Sequence, residues 1–114
     1  MSQASAVAAA HVRDTAPLFA ALGDKTRLSL LVRLSSGGPE SIAGLSARSP
    51  VSRQAITKHL EVLSDAGLVR SFRRGRECIW ELEPKRLADA HKCLDRISRH
   101  WDDALDRLKM FVDG

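Results

Sequence analysis

A mainly α-helical fold carrying one small β-hairpin is what the 114-residue sequence predicts, and three observations predict it. The stretch Pro50–Gly67 reads as a helix with both of its ends encoded. Directly after it, two β-rich runs flank an arginine-rich turn. The C-terminal segment, Pro84 to Gly114, then repeats apolar side chains at alternating steps of four and three, the pattern of a helix that packs along a partner.

The length suits one domain, 1–114, that builds a core without staples. No apolar run approaches the roughly 20 residues of a membrane span. The opening Met1–Ala10 lacks the positive start of a signal peptide, so a cytoplasmic protein with no membrane partner is expected. Cys78 and Cys93 are far apart and outside any CxxC spacing, which argues against a disulfide framework or a zinc site. Free cysteines of this kind are most often buried and inert.

Taken in order, residues 1–11 are alanine-rich with no turn signal and read as flexible or as a loose extension of the first helix. Thr15 is placed to cap a short helix with Pro17 in its first turn and Leu18, Phe19 and Leu22 as its apolar stripe. Gly23 ends it. Asp24 caps a second helix, Lys25 to Leu34, with Leu28, Leu31 and Val32 toward a core, and Ser35–Pro39 is a break. Ser41 opens a short helix that buries Ile42 and Leu45.

The helix after Pro50 organises the rest. Ser52 is its N-cap, Val51 and Ile56 form a hydrophobic staple across that cap, and Gly67 supplies the left-handed residue that stops it. At about 100° per residue, Ala55, Ile56, His59, Leu60, Val62 and Leu63 share one half of the cylinder. Arg53, Gln54, Thr57, Lys58 and Glu61 share the other. The second set is rich in the donors and acceptors that match base edges and phosphates. Two helices joined by so short a connection, spanning 41–67, form a helix-turn-helix. His59, on the apolar half, is expected to rest against the core with one nitrogen hydrogen-bonded.

Leu68–Phe72 and Glu77–Leu82, with Arg73-Arg74-Gly75-Arg76 between them, make a hairpin over 68–82, and a hairpin after a recognition helix is a wing. The fold class is therefore a winged helix-turn-helix. Charge agrees: between Glu40 and Arg76 seven basic residues face three acids, so this third of the chain holds the whole net charge of +4. Clustered positive charge marks a polyanion partner. The DNA-facing residues are expected to be Ser52, Arg53, Gln54, Thr57 and Lys58 on the helix and Arg73, Arg74 and Arg76 on the wing. Arg53 and Gln54 are the expected discriminators, since the N-terminal part of a recognition helix meets the base edges.

In 84–114, Leu87, His91, Leu94, Ser98, Trp101, Leu105, Leu108 and Val112 form a heptad-like seam that Ala90, Ile97, Ala104 and Phe111 widen. A compact domain does not need so long a helix to close its core, and two-fold dimers predominate among oligomers. The expected homodimer interface is Leu94, Ile97, Trp101, Leu105, Leu108 and Phe111, with Leu18 and Phe19 of the first helix beside them.

Asp24-Lys25-Thr26-Arg27, Ala55–Leu63, Ala66-Gly67-Leu68-Val69 and Arg74-Gly75-Arg76 occur in this order, and on them the chain, from about Leu18 to Phe111, resembles the ArsR family of winged-helix repressors. The resemblance implies a dimeric bacterial transcription factor that binds an inverted repeat near a promoter and is released by an inducer, an unspecified small-molecule effector being one class. One metal site of the family puts cysteines in the first helix of the helix-turn-helix pair, where Ile42–Arg48 has none. Its other site, on the terminal helix, is Asp-x-His, a second His eleven residues after the first, and an acid three further on. Asp89-Ala90-His91 is followed by His100 and Asp103, so the second His falls nine residues on, about 180° round the helix. No metal, no cofactor and no catalytic residue is expected. Asp24, His59, His91 and His100 are scattered, with no nucleophile–base spacing and no phosphate-cradling glycine loop. Two alternatives stand beside the specific repressor: a winged-helix protein-interaction module, and an architectural DNA binder without sequence preference.

Overall fold

The computed structural model describes residues 3–113. It contains α1 (Gln3–Leu22), α2 (Lys25–Gly37), β1 (Glu40–Ser41), α3 (Ile42–Ala47), α4 (Arg53–Asp65), β2 (Val69–Arg74), β3 (Glu77–Leu82) and α5 (Pro84–Asp113). The strands form one antiparallel sheet in the order β1-β3-β2, with Glu40 opposite Trp80 and Phe72 opposite Ile79. The core lies where α1, α2, α3 and α4 meet this sheet. Leu18, Leu45, Ile56, Leu60, Leu63 and Leu68 are wholly buried there.

The first helix starts earlier than the capping signal at Thr15 predicts. Alanine-rich sequence is a strong helix former, so residues 3–11 continue the helix, while Met1 and Ser2 lie outside the described residues. Thr15 is therefore an interior position, 1% exposed, and Pro17 sits inside the helix. Leu18, expected at a dimer interface, is 0% exposed and belongs to the protomer's own core; it has no surface to offer a partner. Phe19 is half-buried and packs against the same core.

Asp24 caps α2 as expected, accepting from the Arg27 N–H at 3.0 Å. The buried face is Leu30, Leu31 and Leu34, whereas Leu28 (49% exposed) and Val32 (56%) point outward. The helix is turned because two arginines on it reach inward to unpaired carbonyls. Arg27 Nε donates to Ala21 O at the end of α1. Arg33 donates to Leu45 O at 2.9 Å and Gly44 O at 3.3 Å, and pairs with Glu40 at 3.2 Å. This clasp holds α3 against α2 and so fixes the support on which the next helix rests.

Ser41 caps α3 through Gly44 N at 3.0 Å. Ser52 caps α4 through Ala55 N at 3.2 Å. At the far end Leu68 N donates to Leu63 O and Gly67 N to Ser64 O, both at 2.9 Å, with Gly67 at φ +79°. That pair of bonds is the Schellman closure, and it turns the chain directly into β2. Gly75 (φ +62°) is the first and Arg76 the second central residue of the two-residue hairpin turn. With positive φ at the first position alone the turn is of type II′, the hand that suits twisted strands.

Pro84 occupies the first position of α5, where its missing N–H costs nothing. Arg86 ties the start of this helix to α1, donating to Asp14 Oδ2 at 3.0 Å and Asp14 O at 2.8 Å, and to Asp89 at 2.9 Å. Beyond it Ala90 is the one buried residue of α5, and the helix runs clear of the body. The radius of gyration, 18.6 Å, exceeds the roughly 13 Å of a compact chain this size for that reason. Among the described residues no helix is long and apolar enough to cross a membrane.

Candidate nucleic-acid interface

The staple and cap at Val51–Ile56 set the angle at which α4 leaves the turn, and three wholly buried residues, Ile56, Leu60 and Leu63, hold its inner face. Its other face is open. Arg53, Gln54 and Lys58 are exposed and Thr57 half-exposed, and with exposed Glu61 they form the outward ridge of the helix. Thr57 Oγ1 donates to Arg53 O at 2.9 Å, which leaves its lone pairs outward as acceptors. The Ser52 hydroxyl is committed to the cap as an acceptor and keeps its own proton to donate. Val62, assigned to the apolar half, lies near its edge and is 41% exposed.

His59 projects from the inner side. Its Nδ1 lies 3.3 Å from Arg27 Nη1 and 3.8 Å from Asp24 Oδ2, so the middle of α4 is tied to the α1–α2 corner. The hydrogen bond from the Arg27 backbone holds the Asp24 carboxyl below the usual aspartate range, and the His59 and Arg27 charges act in the same direction against desolvation.

The wing sorts its arginines. At its base Arg70 is neutralised by Glu81 and Glu83, each at 2.8 Å, and these bonds, that to Glu81 foremost, raise its pKa. At its tip Arg73, Arg74 and Arg76 are exposed, and none of their guanidinium groups is in an ion pair among the described residues. The Arg74 guanidinium stacks over the Phe72 ring at 5.7 Å, within cation–π range. The α4 face and the wing tip thus present an excess of positive charge, in which Arg53, Lys58, Arg73, Arg74 and Arg76 form no ion pair among the described residues.

On α5, Leu94, Ile97, Trp101, Leu105, Leu108 and Phe111 are all exposed, between 49% and 84%. Cys78 and Cys93 are free and half-buried. Among the described residues no group of three or more side chains is arranged to hold a metal ion. His100 and Asp103 lie on α5 beside Lys92, Asp95, Arg96 and Arg99, and Asp95 is engaged by Arg99 at 2.7 Å. Sequence reasoning missed Arg27 and Arg33, which look like ordinary solvated charges; the nearest signal was the absence of an acid at i+4 to pair with either.

Residues 22–71, from the end of α1 into β2, match the family described as a helix-turn-helix domain. Over 94 residues the chain is 37% identical to the HTH-type transcriptional regulator Rv2034 of Mycobacterium tuberculosis, covering 82% of this chain and 84% of that one. It is 32% identical to the arsenical resistance operon repressor of Escherichia coli, over 72% of this chain and 70% of the other. Among solved structures, an ArsR-like transcriptional regulator from Rhodococcus sp. RHA1 superimposes with a TM-score of 0.70 at 39% identity, covering 87% of this chain and 92% of that one. With its open recognition helix and arginine-tipped wing, and with these relatives, the chain belongs to the ArsR family of winged helix-turn-helix DNA-binding transcriptional regulators.

Proposed function

We propose that this chain is a sequence-specific repressor that binds an inverted-repeat operator as a homodimer and leaves DNA in response to a cellular signal. The observation that carries the proposal is the open face of α4, Arg53, Gln54, Thr57 and Lys58, standing beside an arginine tip free of ion pairs. Gln54 and its neighbours meet base edges in the major groove, while the wing arginines hold the flanking backbone or the adjacent minor groove. The exposed apolar stripe of α5 supports the dimer, because contiguous patches of this kind mark interfaces. A two-fold pairing sets the two recognition helices about 34 Å apart, one turn of duplex. That the E. coli relative is named a repressor supports the same sense of action.

Gln54→Ala is expected to relax base preference at one position of each half-site, at a cost of about 1–3 kcal/mol. Arg74→Ala is expected to weaken binding to every sequence and to flatten its salt dependence. A mobility-shift titration in which the two variants behave alike would overturn this division of labour. Binding of any duplex with equal affinity would make the chain an architectural binder. Binding that salt does not weaken would remove the nucleic-acid reading in favour of a protein-interaction module.

A further inference from the structure

Between the start of α4 and the wing lies a cleft of about 240 Å³, walled by Arg53 on one side, Arg73, Arg76 and Glu77 on the other, and the start of α3 at its end. Arg73 lies opposite Cys78 in the hairpin, and both line the cleft. Arg74, one residue on, has the other face and is packed over Phe72. Arg76 reaches the cleft from the turn, and Arg53 reaches it from the first residue of α4.

Three arginines, from α4 and the wing, thus line one cleft with a single carboxylate, for a formal charge of +2. None of the three guanidinium groups has an ion-pair partner among the described residues, whereas Arg70 nearby is paired twice. An excess of like charge over the single carboxylate raises the local potential and favours capture of an anion. Guanidinium groups match the oxygens of a tetrahedral oxyanion geometrically as well as in charge.

We propose that this cleft is a single oxyanion subsite, in which Arg53, Arg73 and Arg76 together grip one backbone phosphate of bound DNA. Arg53 is then a backbone anchor and not a base reader, which leaves Gln54 at the base edges. The shared phosphate also locks the recognition helix to the wing, so that the two elements engage DNA as one unit. The identity of the oxyanion rests on the DNA-binding reading; the existence of the subsite does not.

Two measurements test it separately. In the free protein, arginine Nε–H resonances are followed by NMR while inorganic phosphate replaces chloride at constant ionic strength. The expected result is one saturable event shared by Arg53, Arg73 and Arg76, absent in R53Q/R73Q/R76Q and unfelt by Arg74. Independent midpoints for the three, or an equal response from Arg74, would overturn the subsite whether or not the protein binds DNA. On duplex DNA of random sequence, each neutralised phosphate adds about 0.9 to the slope of log K against log salt. Three arginines on one phosphate predict that the triple variant flattens the slope by about one such increment per bound protomer, two for a dimer, and that R53Q and R73Q combine non-additively in affinity. A flattening of about three increments per protomer, six for a dimer, with additive losses, would place the arginines on three separate phosphates and refute the shared grip.

Discussion

Replacing Trp101 by alanine tests the pairing of α5 in numbers. A tryptophan offers up to about 250 Å², and with 64% of Trp101 exposed in the protomer, about 160 Å² of it stands ready for burial. At ~25 cal/mol per Å², complete burial is worth about 4 kcal/mol. The flank of a helix seam stays partly wet, so about half of this, about 2 kcal/mol, is a reasonable gain for each protomer. A two-fold interface uses the residue twice, which makes about 4 kcal/mol, or roughly three orders of magnitude in the dimer dissociation constant. Sedimentation velocity over a concentration series measures that constant directly, and far-ultraviolet circular dichroism checks that the helices remain. A W101A protein that dimerises as tightly as the wild type would refute the seam, as would a wild type that stays a single subunit at every concentration.

Gly67→Ala places a methyl group 2.9 Å from Arg86 Cγ at a φ of +79°, so it combines left-handed backbone strain of about 1–2 kcal/mol with displacement of the arginine that holds Asp14; the melting temperature should fall, and an R86A background should relieve the steric share alone. Leu60→Ala empties a wholly buried site under the recognition helix and should cost about 2–5 kcal/mol in a denaturant titration. Asp24 has its pKa depressed by the Arg27 backbone N–H, so its contribution to stability is present above the unfolded value of about 3.9 and vanishes as pH falls through the lower folded value. Asp24→Asn should therefore be the less stable protein near neutrality, with the gap in urea midpoint closing in acid; a gap independent of pH would contradict that origin.

Much of the recognition unit was legible because its signals are local. Ser52, Ile56 and Gly67 encode a start, a buried face and a stop within one stretch, and all three act as their chemistry dictates. The wing was equally readable, since Gly75 marks the turn and the flanking runs are rich in β-forming residues. What local patterns could not convey depends on distant partners. Strand β1 is two residues long and exists because Trp80 and Ile79, some forty positions away, offer it a ladder. Thr15 and Pro17 look like the start of a helix, yet helix-forming sequence upstream and the burial of Leu18 and Ala21 carry α1 straight through them. The rotation of α2, which exposes Leu28 and Val32, follows from Arg27 and Arg33 reaching carbonyls on other elements. On the candidate interface, the list of arginines was readable but their division was not. Arg73 and Arg74 leave opposite faces of the hairpin, as the register sets, and Arg76 leaves from the turn.

Selection of bound duplexes from a random library asks whether two copies of the α4 face read one symmetric site. The expected outcome is an enriched inverted repeat whose half-site centres lie one helical turn, about 10–10.5 base pairs, apart, with Q54A degrading one position in each half. Enrichment of a lone asymmetric half-site, or of no sequence at all, would contradict it.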